Sequence, residues 1–407
     1  MNITFFCATF PVASETFIQN QIISFIKMGH NVRILALYPG DMNCLHEDFL
    51  NYNLKEKVDY VFPSNFTTHG RLAVLQKRFS HSLKCLTPSR IKAFNIFKYG
   101  HLSHSLYLPS IVGNIKSVYE ADYFVAHFGT CGTIANSLRE LGVLDGKIVT
   151  VFHGFDISIK EILSRYKKQY ANLFAEGDMF FPISHLWKDK MISLGCESSK
   201  IEVIRMGIHV DEFLYKERNI GKTLNIVSVC RLIEKKGIEY SIRACSILKE
   251  NNIPFKYTIV GYGPLEPSLR SLIDQLGLKD VVTITGFQSQ SNVKAILDKS
   301  NVFVLPSITS ENGDMEGIPV ALMEAMANGL PVVSTYHSGI PELIENNISG
   351  YLCDEKNIKQ ISDKLIFIFN NPESVLSSTV NARKKIEEAF NIDVEYYKMT
   401  SLMEKGL

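Results

Sequence analysis

"NITFFCATFPVASETFIQNQIISFIKMGHNVRILALY", residues 2–38, decides the fold class. An apolar run (NITFFCA) leads through an irregular loop (TFPVASE) into a segment with apolar residues at helical spacing (TFIQNQIISFIKMG). A second β-branched run (NVRILALY) follows. Two such runs joined by a helix-period segment read as β-α-β, the repeating unit of a parallel sheet, because parallel neighbours need a long crossover. Gly29 is placed to end the helix. The alternation continues through YFVAHF, KIVTVFH and MFFPIS, so the first half reads as one doubly wound α/β domain closing near IEVIRMGI, residues 201–208.

After the polar connector DEFLYKERNIGK the pattern restarts. Strand LNIVSVCR, helix GIEYSIRACSILKEN, strand FKYTIVG, helix LEPSLRSLIDQLG and strand VVTITGF are followed by strands VFVLPS and LPVVST, and the last fifty residues read as helical. A chain of 407 residues is too long for one ordinary core, which agrees with two domains. The fold class is therefore α/β, two Rossmann-like doubly wound domains.

The charges nearly cancel, 43 Lys plus Arg against 42 Asp plus Glu, so no global field argues for nucleic acid. Eight scattered cysteines without a C-x-x-C pair speak against zinc and against a disulfide framework, and suit a reducing cytoplasm. No basic-then-apolar leader and no long apolar run appear, so a soluble or peripheral protein is expected. One local asymmetry stands out. Between Asp59 and Glu120 there is no acidic residue, while Arg71, Lys77, Arg78, Lys84, Arg90, Lys92, Lys98 and Lys116 interleave with Phe79, Phe94, Phe97, Tyr99 and Tyr107. That suits helices lying in an anionic membrane surface. An ordinary solvated face is the plainer reading, and single-stranded nucleic acid a third.

DMEGIPVALMEAMANGL, residues 314–330, holds Glu316 and Glu324 eight positions apart. It parses as a loop through Gly317, a helix with Pro319 in its first turn, and an end at Gly329. A helix start after a parallel strand offers free N–H groups, a seat for phosphate, with Glu316 beside it facing a sugar hydroxyl. Glu324, among apolar neighbours, needs donors, and a ribose diol would supply two. The alternative is a helix-start acid and a solvated helical face. RLIEKKG puts Arg231, Lys235 and Lys236 at the sheet's carboxyl edge, where a diphosphate would be neutralised, or forms a plain polar loop. VGYGPLE (Gly261, Gly263) and HSGIPELI (Ser338, Gly339, Pro341) are further strand-to-helix turns. In the first half His127 (AHFG) and His153 (FHGFD) follow strands, and Ser14, Glu15 and Thr16 occupy the first loop as a phosphate contact or as a helix cap. D-x-D, Walker, G-x-S-x-G and H-E-x-x-H motifs are absent, which removes support for kinase, hydrolase and zinc-protease readings.

Taken together, EGIPVALME, RLIEKKG, VGYGPL, GLPVVST and SGIPELI resemble the nucleotide-sugar domain of retaining glycosyltransferases of family 4. SETFI, AHFG, FHGFD, PISHLWKDKMISLGC and IEVIRMGI are similar to the first domain of the bacterial members that build colanic acid and related exopolysaccharides. The resemblance implies the GT-B architecture with two domains facing a cleft: 1–212 binding the acceptor, 213–389 binding the nucleotide-sugar, and 390–407 a helix crossing back. It assigns Glu316 and His153 to the reacting sugar, Glu324 to the ribose, Arg231 and Lys236 to the diphosphate, Gly261, Met315, Gly317 and Ile318 to the donor, and Phe287 to the base. Ser14, Thr16 and His127 would serve an acceptor or phosphate loop. It implies no cofactor and no metal. The donor would be UDP-linked, and the acceptor a polyprenyl-diphosphate-linked oligosaccharide of capsule, exopolysaccharide or O-antigen synthesis. The enzyme would be cytoplasmic, held at the inner membrane face by residues 60–119, with no nucleic-acid partner. A non-catalytic binding subunit of this fold and a nucleotide-sugar epimerase are the alternatives. The first loop departs from the family in lacking Gly-Gly, and RMGIH departs in carrying Met206 and His209 where Asn and Asp are usual.

Overall fold

A computed structural model describes residues 1–12, 15–41, 47–63, 70–84 and 87–406. Two units divide the chain: Met1–Ile204 with Tyr396–Leu407, and Arg205–Glu395.

In the first unit six strands, β1 Asn2–Phe10, β2 Asn31–Pro39, β3 Val58–Tyr60, β4 Tyr119–His127, β5 Leu144–Phe152 and β6 Met179–Pro182, form one parallel sheet in the order β3-β2-β1-β4-β5-β6. Its central strands are covered on both faces, which is why they read as continuous apolar runs: Phe5, Phe6, Phe124, Val125, Ala126, Ile148 and Val149 are all inaccessible to solvent. The helix Thr16–Lys27 crosses from β1 to β2 and buries Ile18, Ile22 and Phe25. Residues from Tyr396 onward add to this unit. Met399 and Met403 are fully buried, Gln21 Nε2 donates to Met399 Sδ at 3.0 Å, and Phe25 packs edge-on against Tyr396.

The second unit repeats the plan. Strands β7 Leu224–Val229, β8 Phe255–Val260, β9 Val282–Gly286, β10 Val302–Val304, β11 Val332–Thr335 and β12 Tyr351–Cys353 are parallel in the order β12-β11-β10-β7-β8-β9. In both sheets the first strand lies beside the fourth, and there the direction in which successive strands are added reverses. The loops leaving those neighbours part to opposite faces and open a crevice at the carboxyl edge. In the first unit the crevice lies past β1 and β4; in the second it lies past β7 and β10.

One local expectation is corrected. The helix after β10 runs Val320–Ala327, and Pro319 stands before it as N-cap with φ −64° and ψ 119°, extended rather than helical. Its far end is held by cations. Arg218 Nη2 donates to the Asn328 carbonyl at 2.9 Å and Arg383 Nη1 to the Ala327 carbonyl at 3.1 Å, where the helix dipole favours positive charge.

Candidate active site

At the β7/β10 crevice two loops are joined by charge. Lys236 Nζ lies 2.7 Å from Glu316 Oε1, and Lys235 Nζ lies 3.0 Å from Asp314 Oδ1. Both lysines come from the short turn after β7, both acids from the loop after β10, and Glu316 and Lys235 are buried. The Ile308 N–H donates to the Lys235 carbonyl at 2.9 Å. Gly237, with φ +64°, sits so close to this loop that a Cβ would overlap the Pro306 carbonyl oxygen, so no side chain fits there. Burial pushes the Glu316 carboxyl up, but the ammonium groups of Lys236 and Lys235 outweigh it and hold the group below the ordinary carboxylate range.

The Glu316 backbone is fixed independently. Its N–H donates to His337 Nε2 at 3.0 Å, and the Ser338 hydroxyl donates to its carbonyl. Because Nε2 accepts, the proton of this fully buried imidazole is on Nδ1, which faces Glu355 Oε1 at 2.6 Å. Glu355 also accepts from the Thr309 N–H at 2.9 Å and the Thr309 hydroxyl at 3.1 Å. Three loops, after β10, β11 and β12, thus converge on the height of one carboxylate.

Other predicted donor residues are placed ready rather than engaged. The Glu324 carboxylate has no hydrogen-bond or ion-pair partner among the described residues. Burial, reinforced by Glu212, pushes its carboxyl up to about 7. Arg231, just past β7, is exposed and also unpartnered among them. Phe287 after β9 is 76% exposed and meets Tyr262, 58% exposed, edge-on at 6.0 Å between centroids. Met315 is half-buried and Ile318 is a core residue, while the N–H groups of Gly317 and Ile318 meet no acceptor among the described residues. Gly261 answers a packing demand: with φ +139°, its missing Cβ makes room for the Cys230 carbonyl of the loop after β7.

In the first unit His127 Nδ1 and His153 Nε2 are 2.9 Å apart at the carboxyl ends of β4 and β5. Burial drives both rings toward neutrality, His127 down to about 3 and His153 well below its ordinary value with His127 adding to the effect. One proton lies between them, and the outer nitrogens, His127 Nε2 and His153 Nδ1, are buried without a partner among the described residues. Phe17 lies against His153 at 4.7 Å. Beneath them Asp156, fully buried, accepts from the N–H groups of Gly129, His153 and Gly154 at 2.7, 3.1 and 2.9 Å. Burial pushes its carboxyl up to about 6 against those hydrogen bonds. Thr16 is the first residue of its helix, and Ser14 lies outside the described residues.

The basic segment is less free than its composition suggests. Lys98 pairs with Glu140 at 2.9 Å, Arg90 donates to the Ile115 carbonyl at 2.6 Å, and Arg78 donates to the Ser105 carbonyl at 3.1 Å. Lys84, Lys92 and Lys116 remain exposed.

Comparison with known proteins now decides the family. Residues 211–385 match the model for glycosyl transferases group 1. The amylovoran biosynthesis glycosyltransferase AmsK of Erwinia amylovora is 46% identical over 407 residues, covering all of both chains. The putative colanic acid biosynthesis glycosyltransferase WcaL of Escherichia coli K12 is 44% identical over 99% of this chain and all of its own. The chain is a group 1 glycosyltransferase. Its GT-B fold is shared with HepE of Anabaena in complex with UDP and glucose (TM-score 0.71, 15% identity, full coverage of both chains). A glycosyltransferase of Rickettsia africae is similar too (TM-score 0.70, 17% identity, 100% and 98% coverage).

Several residues that shape this glycosyltransferase's site escaped the motif reading. His337 directly precedes SGIPELI, but nothing in sequence shows that it reaches back to Glu316. Asp156 closes FHGFD, and its three partners are backbone groups, invisible in a side-chain pattern. Tyr262 sits between Gly261 and Gly263, where the glycines draw the attention.

Proposed function

We propose that this glycosyltransferase moves a sugar, with retention of anomeric configuration and without a metal, from a UDP-linked donor to a lipid-linked oligosaccharide in exopolysaccharide synthesis. The observation that carries the reading is the Lys236–Glu316 pair at the β7/β10 crevice, with Arg231 and Glu324 left unpartnered in the same unit. Glu324 takes the ribose diol, whose two hydroxyls supply the donors its half-buried carboxylate lacks. Tyr262 and Phe287 offer the faces and edges of two exposed rings to the base. Arg231 and Lys236, with the N–H groups of Gly317 and Ile318, receive the diphosphate.

As the bond from the sugar to the diphosphate breaks, negative charge grows on the leaving phosphate, and fixed cations and N–H dipoles stabilise it more than the ground state. The acceptor hydroxyl enters from the face the diphosphate leaves, its oxygen bonding the anomeric carbon while its proton passes to the departing phosphate oxygen, which preserves configuration. Glu316, positioned through its main chain, binds the transferred sugar. The relatives AmsK and WcaL, named for amylovoran and colanic acid biosynthesis, support the product class, and HepE, seen with UDP and glucose, supports the donor base.

No described helix is long and apolar enough to cross a membrane. We assign membrane contact to the segment 71–97, where Leu72, Leu75, Phe79, Leu83, Ile91, Phe94, Ile96 and Phe97 are all exposed beside Lys84 and Lys92. Thermal shift with UDP, GDP and ADP, with and without EDTA, tests the donor site. UDP alone should stabilise the enzyme, EDTA should not matter, and Glu324→Ala and Arg231→Ala should abolish the shift. Stabilisation by a different nucleotide, or none, would overturn it.

A further inference from the structure

The helix Arg71–Ser82 carries an apolar stripe that is exposed among the described residues. Leu72, Leu75, Phe79 and Leu83, spaced three or four apart, are exposed along one side, Leu72 at 78%. The opposite side packs on the helix Tyr107–Asn114, with His81 Nδ1 2.9 Å from Asn114 Oδ1. Between the two sides lies a cavity of about 420 Å³ lined by Gly70, Val74, Leu75, Arg78 and Ser105, in the size range of small-molecule sites.

Among the described residues, Arg78 is the only charged group in that lining. Its guanidinium is half-buried, and every partner it has among the described residues is neutral: the Ser105 carbonyl at 3.1 Å, the face of Tyr107 at 4.6 Å, and the Tyr38 hydroxyl. Its Nε has no acceptor among them. A partly desolvated arginine without a carboxylate is costly unless an anion completes it. The sequence supplies none from residue 60 to 119, which contains no Asp or Glu.

We propose that this cavity binds one phosphate-headed lipid, with the phosphate on Arg78 and the chain along Leu72, Leu75 and Phe79. This rests on the lipid-linked acceptor reading and gives the acceptor's anchor a place. A recessed guanidinium suits a single lipid drawn partly out of the bilayer, whereas the headgroups of a flat membrane meet exposed cations such as Lys84 and Lys92. Guanidinium recognises phosphate through charge-assisted, paired hydrogen bonds, and the apolar stripe shields the chain from water.

The test uses the full chain in non-ionic detergent with geranylgeranyl phosphate as probe, and geranylgeraniol and inorganic phosphate as controls, read by calorimetry. Geranylgeranyl phosphate should bind at one site per chain, and each control at least about tenfold more weakly, since each lacks half of the contacts. Arg78→Gln should weaken the probe by about tenfold or more, and Arg78→Lys by less. Leu75→Ser, an exposed position that leaves Arg78 in place, should weaken it too. Retention on anionic vesicles should survive Arg78→Gln and fall with Leu72→Ser plus Phe79→Ser. Failure of the probe to bind, equal binding by Arg78→Gln and Leu75→Ser, or phosphate alone matching the probe would overturn the site. Thermal shift with UDP on the same samples reports the donor site separately, so either reading can fail while the other stands.

Discussion

Lys236 Nζ and Glu316 Oε1 meet at 2.7 Å across the crevice between β7 and β10, so the carboxylate proposed to bind the sugar and the cation proposed to bind the diphosphate neutralise each other. Each is largely shielded from water, so removing one strands the other. Glu316→Ala should cost on the order of 3 kcal/mol of stability, while Glu316→Gln with Lys236→Met should recover much of it. Both variants should lose transfer. Denaturant unfolding checks the first statement, and release of nucleoside diphosphate the second.

Glu324 gives a pH-dependent prediction. Its folded pKa, about 7, is raised above the unfolded value, so its contribution to stability is fully present below the unfolded pKa and is lost as pH rises through 7. Glu324→Gln should therefore stabilise the free enzyme at pH 8, by on the order of 1–2 kcal/mol after allowance for solvent screening, and make no difference near pH 4. The same variant should weaken nucleoside diphosphate binding. Melting curves across pH with and without UDP test both parts.

The two histidines of the first unit shift the other way. Both are depressed by burial, so the stability they contribute is present above the unfolded pKa near 6.5 and is lost as pH falls below it. Wild type should lose on the order of 1.4 kcal/mol per pH unit per histidine in that window, and His127→Gln should flatten the slope. No ionisation of the His127–His153 pair should appear in the activity profile between pH 6 and 8. Ring-proton NMR would show both imidazoles neutral throughout that range.

His337 acts on Glu316 through the main chain, which separates its effect from nucleotide affinity. His337→Phe keeps a buried ring but removes both hydrogen bonds. Turnover should fall by about 10²-fold, the effect of misplacing a reacting group by roughly an ångström, while UDP still stabilises the protein. Glu355→Gln retains an acceptor for the Nδ1 proton and should stay within several-fold of wild type. Equal loss of UDP binding and turnover in His337→Phe would show collapse of the loop instead.

Both sheets were legible because their central strands are covered on each face and so read as largely apolar, β-branched or aromatic runs, LNIVSV and YFVAHF among them. The Glu316 and Lys236 loops were legible as motifs for the same reason that they work: parallel strands deliver them to one edge. The tie between His337 and Glu316 was not, because it depends on which loops come within hydrogen-bond reach after β10 and β11 lie side by side. The basic segment was read by composition alone. It folds into short helices separated at Gly100 and a left-handed Leu106, and Arg78 and Arg90 donate to carbonyls instead of facing water. The start of the Glu324 helix was misread by one position because a proline suits an N-cap as well as a first turn.

Met399 and Met403 belong to the first unit although nearly two hundred residues of the second precede them in the chain. On the ribosome, the first unit has to wait with part of its hydrophobic core missing until the segment holding Met399 and Met403 emerges. The second unit, uninterrupted in sequence, can close first. Synthesis order and completion order are thus reversed, and a stalled or clipped chain would present a finished second unit attached to an unsealed first one, the form that chaperones and proteases would meet.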